Sequence, residues 1–208
     1  RVLDVNTSSG APYLVMELVP GARTLDQVLP GLGRDERVAL IREAAEALGH
    51  AHAHGVVHRD VKGENLLLDA QGRLRVTDFG VALVGDELRL SLTGALVGTP
   101  ACMAPEQLRG EKELGPQVDV WALGVLLYEA LTGQRPYPAG SLVELSEALR
   151  APPRAPRAID PQVPPALEAV TLRALAREPR DRFPDAAQLA RALAAAARPR
   201  LARSRRPL

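Results

Sequence analysis

Apolar residues recur every three or four positions along several parts of the chain, and this spacing predicts amphipathic helices. The clearest case runs over residues 35–54, where Gly55 ends the pattern. A short helix is predicted to begin near Leu25, with Thr24 and Asp26 available to cap it. The second half of the chain is predicted to be mainly helical, over residues 118–131, 141–149, 165–177 and 185–197.

Short apolar runs bounded by turn residues predict strands nearer the start of the chain. Residues 2–5 and 13–16 flank a turn-rich segment and indicate a β-hairpin. Further strand candidates are residues 56–57, 65–68 and 74–76. Residues 78–116 show no clear period, and aperiodic stretches of that length in a compact domain are usually functional.

Composition limits the classes of protein. A length of 208 residues allows one domain, and the net charge of +1 gives no field that would favour nucleic acid. One cysteine, Cys102, excludes an internal disulfide and favours the reducing cytoplasm. No apolar stretch in this chain approaches the roughly 20 residues of a membrane span, although a longer parent protein could be membrane-anchored. Residues 198–208 carry five arginines and no acid, which predicts a solvated, disordered tail.

The segment H-R-D-V-K-G-E-N at residues 58–65 carries the strongest chemical signal. It places a carboxylate (Asp60), an ammonium (Lys62) and an amide (Asn65) on one short loop. Phosphoryl transfer needs an acceptor that orients the attacking hydroxyl, a cation for the moving phosphoryl group and an oxygen ligand for magnesium. The alternative is a polar turn in which Asp and Asn satisfy backbone donors.

A second motif, T-D-F-G at residues 77–80, follows the predicted strands. Asp78 offers the hard oxygen that Mg²⁺ prefers, and Gly80 gives the backbone freedom beside it. An ordinary Asp-x-Gly turn is the alternative for this motif alone. Two such motifs in this order and at a hairpin's distance make chance an unsatisfactory explanation.

These motifs, together with G-T-P-A-C-M-A-P-E at 98–106 and D-V-W-A-L-G at 119–124, resemble a eukaryotic-like (bacterial) serine/threonine protein kinase domain. Y-L-V-M-E-L-V-P-G near the start resembles the strand that enters the hinge, and R-D-R-F at 180–183 resembles the late arginine motif. The resemblance implies an α+β kinase-like fold with a complete helical C-lobe and a two-strand remnant of the N-lobe. It divides the chain into an N-lobe remnant and hinge (1–24), a C-lobe (25–197) and a basic tail (198–208).

The resemblance also implies that the protein uses ATP with Mg²⁺ and acts on Ser or Thr hydroxyls of protein substrates. It further implies which residues carry out each role. Asp60 would accept the hydrogen bond of the substrate hydroxyl, Lys62 would contact the γ-phosphate, and Thr99 would bridge toward both. Asn65 and Asp78 would hold the magnesium ions. The adenine ring would be bound by a further set: Met16 as gatekeeper, the backbone of Glu17 and Val19, and Leu67 beneath the ring.

Other matched positions would support this site. His58 and Phe79 would form the lower half of the regulatory spine, and Asp119 would hold the backbone of the catalytic loop. Glu106 and Arg182 would form a buried ion pair that anchors the activation segment.

Arg59 suggests regulation, because a cation beside the catalytic aspartate can dock a phosphate. Ser91 and Thr93 lie in the expected activation loop and are candidate phosphorylation sites; the alternative is two plain exposed hydroxyls. His50 and His54 share a helix face, but no carboxylate joins them, so a metal site is not expected. Cys102 stands where the family usually has an aromatic residue, and a tolerated small residue is preferred to a redox-sensitive thiol.

The family's glycine-rich loop and phosphate-gripping lysine have no counterpart in residues 1–16. We therefore expect the 208 residues alone to have little kinase activity and weak ATP affinity. The competing hypothesis is a catalytically impaired kinase-like scaffold or regulatory binding module. A small-molecule phosphotransferase is disfavoured by the G-T-P-A-C-M-A-P-E segment, which belongs to protein kinases.

Overall fold

Helices make up most of the described chain, together with two small antiparallel sheets. The computed structural model describes residues 2–6, 13–79 and 100–197. The described α-helices are α1 (Leu25–Val28), α2 (Arg34–Ala53), α3 (Pro105–Leu108), α4 (Gln117–Thr132), α5 (Leu142–Ala148), α6 (Pro156–Ile159), α7 (Pro165–Ala174) and α8 (Ala186–Ala197). The described strands are β1 (Val2–Asn6), β2 (Tyr13–Met16), β3 (Arg23–Thr24), β4 (Leu66–Leu68) and β5 (Leu74–Val76).

Helix α2 follows from its sequence at both ends. Asp35 and Glu36 lie in its first turn, where negative charge is favoured by the helix dipole, and the Glu36 carboxylate accepts the Gly33 N–H at 2.8 Å. At the other end Gly55 adopts a φ of +74°, a conformation that glycine tolerates without strain. The helix therefore closes where the apolar pattern predicted.

The core is built around α4, which is apolar on nearly every side. Residues from Val118 to Tyr128 are all buried, so the helix needs neighbours all round. Helices α2, α7 and α8 pack against it, and α8 also packs against α2 and α7. Gly49 of α2 lets α8 approach closely, because a Cβ atom at that position would lie 2.7 Å from the backbone nitrogen of Ala187.

The described residues also form two antiparallel sheets, of which the three-stranded one contacts α1 and α2. Strands β1 and β2 form the predicted hairpin, pairing Val2 with Met16 and Asn6 with Tyr13 in antiparallel register. Strands β3, β4 and β5 form a three-stranded antiparallel sheet with β4 in the centre. The α+β arrangement expected from the sequence is therefore observed in the described residues.

Two local predictions were wrong, and several short elements were not predicted. Residues 56–57 form no strand, because the Val56 N–H bonds back to the carbonyl of Ala51 and continues the helix end. Helix α7 stops at Ala174 rather than at residue 177. The carbonyls of Ala176 and Arg177 accept hydrogen bonds from the Arg182 side chain, as described below. The two-residue strand β3 and the short helices α3 and α6 were not predicted.

Residues 80–99 and 198–208 lie outside the described part of the chain, so the predicted tail and most of the expected activation loop are not described. Among the helices of the described ranges, none has the length and apolar character needed to cross a membrane.

Candidate active site

A short loop between α2 and β4 brings the side chains of Lys62 and Asn65 into contact with the carboxylate of Asp60. The Lys62 Nζ atom lies 2.9 Å from Asp60 Oδ2. The Asn65 Nδ2 atom donates to the Asp60 carbonyl at 2.8 Å and to Oδ2 at 3.2 Å. The Asp60 and Lys62 side chains are 30% and 26% exposed, so the carboxylate is accessible from solvent.

The loop is held from below by the buried carboxylate of Asp119, on the first turn of α4. Its oxygens accept the N–H groups of His58 and Arg59, both at 2.8 Å. Arg59 has a φ of +68°, which costs a non-glycine residue about 1–2 kcal/mol. The two hydrogen bonds that Asp119 accepts stabilise this left-handed backbone immediately before Asp60.

Sequence reasoning missed the role of His52, which completes this support. Its Nε2 atom lies 2.8 Å from Asp119 Oδ2, and its Nδ1 atom accepts the Ala186 N–H at 3.2 Å. Because Nδ1 is an acceptor, the ring proton is on Nε2 and is donated to the carboxylate. His52 thus connects the start of α8 to the catalytic loop. The only available signal was its place on the apolar face of α2.

The other two histidines of that helix do not gather metal ligands. The His54 Nδ1 atom lies 2.8 Å from the carbonyl of His50, and the two rings pack with centroids 4.6 Å apart. In residues 2–6, 13–79 and 100–197, no group of three or more His, Cys, Asp and Glu side chains forms a metal-binding cluster.

The segment after β5 lies beside the catalytic loop. The Thr77 N–H donates to the carbonyl of Asn65 at 2.9 Å, and the Thr77 carbonyl lies 2.8 Å from His58 Nε2. Asp78 follows with a φ of +62° and is partly buried, and the Phe79 ring packs on His58 with centroids 4.7 Å apart. These hydrogen bonds hold the segment that contains Asp78 against the segment that contains Asn65, and the Phe79 ring packs on His58.

The donor chemistry of these two residues suits magnesium. Asn65 uses its Nδ2 atom toward Asp60, which leaves the Oδ1 atom as an oxygen donor, and Asp78 supplies a carboxylate. Oxygen donors of this kind are the usual protein ligands of Mg²⁺.

The hinge residues lie at the edge of the described sheet structure. Met16 ends β2 and is 42% exposed, and Val19 accepts the Ala22 N–H at 3.3 Å in the turn that follows. In β4, Leu67 is partly exposed while Leu66 and Leu68 are buried, so Leu67 faces the opposite side of the sheet.

A buried ion pair joins α3 to the segment before α8. Arg182 donates to Glu106 twice, from Nη1 at 2.6 Å and from Nη2 at 2.8 Å. Its remaining donors bond to the carbonyls of Ala176, Gln117 and Arg177, so all five guanidinium N–H groups are used. The predicted pair therefore lies in contact and is almost fully buried.

An acidic cluster beside the catalytic loop was not predicted. Asp26 packs so closely on Gly63 that a Cβ atom there would lie 1.8 Å from its Oδ1 atom. Burial raises the pKa of Asp26, and the nearby carboxylates of Glu64 and Glu129 raise it further. Cys102 lines a small cavity together with Asp26 and Glu64, and burial raises the pKa of its thiol to about 12. That value favours the inert thiol over the redox-sensitive one.

Three expected site residues, Ser91, Thr93 and Thr99, fall outside the described residues. Arg59, which was predicted to dock a phosphate, has a buried Nε atom with no hydrogen-bond partner in the described ranges.

Comparison with known proteins identifies the family of this chain. The protein kinase domain family matches residues 1–191. The chain is 36% identical over 194 residues to the probable serine/threonine-protein kinase PknB of Lactococcus lactis, covering 90% of the chain and 30% of that protein. It is 40% identical over 191 residues to the serine/threonine-protein kinase PknH of Mycobacterium tuberculosis, with coverages of 90% and 30%.

Serine/threonine-protein kinase Pkn1 of Myxococcus xanthus is 37% identical over 198 residues, which is 92% of this chain and 28% of the relative. The chain therefore belongs to the protein kinase family and has its α+β fold, with a large helical lobe and a small strand remnant. Among these relatives it groups with the bacterial Ser/Thr kinases. It spans less than a third of the length of each of the three relatives described.

Proposed function

We propose that the protein transfers the γ-phosphate of ATP to Ser and Thr hydroxyls of protein substrates. The observation that carries this proposal is the convergence of Lys62 and Asn65 on the partly exposed Asp60 carboxylate. The buried Asp119 below the loop also supports the proposal. Its carboxylate accepts the N–H groups of His58 and Arg59 and so holds this backbone in one conformation. Positioning of this kind supplies much of the catalysis in phosphoryl transfer.

In the proposed step, Asp60 orients the substrate hydroxyl and accepts its proton. The hydroxyl oxygen forms a bond to the γ-phosphorus while the bond from that phosphorus to the β-bridging oxygen breaks, and ADP leaves with the electron pair. The Lys62 ammonium neutralises charge on the moving phosphoryl group. Thr99 is proposed to bridge toward Asp60 and Lys62 and to favour Ser and Thr acceptors.

Asn65 and Asp78 are the proposed magnesium ligands. These two residues would hold Mg²⁺, which when bound would supply neutralisation of the charge on the phosphate groups of ATP. The adenine ring is proposed to bind against Met16 and Leu67, with hydrogen bonds to the backbone of Glu17 and Val19. The exposed apolar surface of Met16 supports that assignment.

Regulation is proposed to act through Arg59, with phosphate on Ser91 or Thr93 as the docking group. The buried, unpaired Nε atom of Arg59 in the described ranges supports this role. The His58–Phe79 contact is proposed as the lower part of the regulatory spine.

We also propose the division into residues 1–24, 25–197 and 198–208, and action in the cytoplasm, where ATP is present and Cys102 stays reduced. Residues 1–16 contain no lysine, so the phosphate-gripping lysine of the family is not supplied by them. We therefore propose the Ser/Thr kinase activity for the protein as its gene encodes it and not for these 208 residues alone.

The test is a mass-spectrometric map of phosphate gained by a mixed protein substrate after incubation with Mg²⁺ and ATP. Phosphate on Ser and Thr that requires the wild-type Asp60 supports the kinase. No phosphate above the level of Asp60→Asn would favour the impaired, scaffold-like alternative. Phosphate mainly on Tyr would contradict the Ser/Thr assignment.

A further inference from the structure

The side-chain amide of Gln107 connects helix α3 to the backbone of the catalytic loop. Its Oε1 atom accepts the Ala104 N–H at 3.0 Å, which caps the first turn of α3. Its Nε2 atom donates to the carbonyl of Arg59 at 2.8 Å. The two bonds leave the amide one orientation, because only the oxygen can accept and only the nitrogen can donate.

The carbonyl that Gln107 binds belongs to the strained residue before Asp60. Arg59 has a φ of +68°, and its N–H is already held by Asp119 at 2.8 Å. The Arg59 carbonyl and the Asp60 N–H share one planar peptide group. A hydrogen bond that fixes the carbonyl therefore also fixes the orientation of the peptide group that leads into Asp60. Gln107 and Asp119 therefore hold Arg59 from two different helices.

The position of Gln107 is itself rigid. The preceding residue, Glu106, is bound twice by the buried Arg182. Gln107 also borders a small cavity together with Asp60, Lys62, Cys102 and Met103. It thus lies between the segment around Cys102 and the two charged residues of the catalytic loop.

The chain contains a matched glutamine that only caps. Gln27 accepts the Thr24 N–H at 3.1 Å through Oε1, at the same position of helix α1. It is exposed, and in the described ranges it makes no second bond of the kind that Gln107 makes to Arg59. Helix capping alone therefore requires only the oxygen of the amide and does not explain the Nε2 contact.

We propose that Gln107 is a positioning residue for phosphoryl transfer, acting through the Arg59 carbonyl on the orientation of Asp60. This inference rests on the proposed kinase function. It predicts that loss of the Nε2 donor lowers kcat while the KM for the protein substrate and the stability of the fold change little.

Two substitutions isolate that donor. Gln107→Glu keeps an oxygen for the Ala104 N–H but loses the donor and adds charge, whereas Gln107→Met loses both bonds and adds no charge. Of the two hydrogen bonds, the one to the Arg59 carbonyl is lost in both variants. The expected result in the protein as its gene encodes it is a fall in kcat of about tenfold in both variants. Gln27→Glu, the control, leaves kcat within about twofold of wild type.

Hydrogen exchange of the Arg59 and Asp60 amides is measured in the same proteins and does not depend on activity. Both Gln107 variants are expected to exchange faster there, with Gln107→Glu melting at the wild-type temperature. Unchanged exchange at these amides, or wild-type kcat in either variant, would overturn the positioning role. If wild-type protein shows no transfer above Asp60→Asn, the proposed function fails, and exchange alone decides whether Gln107 holds the loop.

Discussion

Removal of the Glu106 carboxylate is expected to destabilise the protein more than removal of any exposed acid. The Arg182 guanidinium is almost fully buried and uses two of its N–H groups on Glu106. In Glu106→Ala those two donors and the positive charge stay buried without an acceptor. Breaking one side of such a pair costs about 3–5 kcal/mol.

That cost converts into a measurable shift of the melting temperature. For domains of this size, 1 kcal/mol corresponds to about 2–4 °C, so Glu106→Ala is expected to melt about 6–20 °C lower. Trp121 is the single tryptophan of the chain, and its ring lies 4.8 Å below the Arg182 guanidinium carbon. Its fluorescence during urea or thermal unfolding therefore reports on the perturbed contact itself.

The control is Glu46→Ala, which removes an exposed i, i+4 partner of Arg42 on helix α2. Exposed pairs of this kind contribute little, so the free energy of unfolding is expected to change by no more than about 0.5 kcal/mol. A double variant, Glu106→Leu with Arg182→Met, should lose less than the sum of its single changes, with a coupling of about 1–3 kcal/mol. Equal losses for Glu106→Ala and Glu46→Ala, or zero coupling, would refute the reasoning.

Three further predictions follow from the same contacts. His52→Phe removes the donor to Asp119 and the acceptor for the Ala186 N–H, so it is expected to lower the free energy of unfolding by about 1–3 kcal/mol in the same melts; an unchanged melt would show that the link carries no stability. Burial raises the pKa of Cys102 from 9.0 and the pKa of Tyr137 from 10.0, both to about 12. As pH rises, the unfolded state therefore releases these protons before the folded state does. The free energy of unfolding is expected to keep this full contribution below about pH 9 and to fall as pH rises toward 12, less steeply in Cys102→Ala. A flat melting temperature from pH 8 to pH 11 would contradict this. Ser91, Thr93 or both are expected to carry phosphate after incubation with ATP in wild-type protein and not in Asp60→Asn, by phosphopeptide mapping; an active preparation with both residues unmodified would refute the switch.

Much of the fold could be predicted because its signals are local. The apolar period of α2 and the Gly55 that follows it are contained in one stretch of sequence, as are the runs of β1 and β2. The failures involve contacts between distant segments. Residues 56–57 have strand-like composition, yet the Val56 N–H continues the end of α2, and α7 ends early where the distant Arg182 takes the carbonyls of Ala176 and Arg177.

The candidate site divides in the same way. Asp60, Lys62 and Asn65 lie within six residues, so their grouping could be read directly from the sequence. His52, Asp26 and Gln107 could not be found in that manner, because each acts on a segment that is far away in the chain. A glutamine after the Glu106 motif carries no signal by itself, and only the fold brings it to the Arg59 carbonyl.

We propose that the Asp60 carboxylate, with Lys62 and Asn65 beside it, is the catalytic group of phosphoryl transfer. The most direct measurement is the initial rate of transfer of labelled γ-phosphate from ATP to a protein substrate, for Asp60→Asn beside the exposed control Asp35→Asn. We expect Asp60→Asn to lose at least about 100-fold in kcat and Asp35→Asn to keep the wild-type rate. Wild-type kcat in Asp60→Asn, from a protein with measurable activity, would contradict the account.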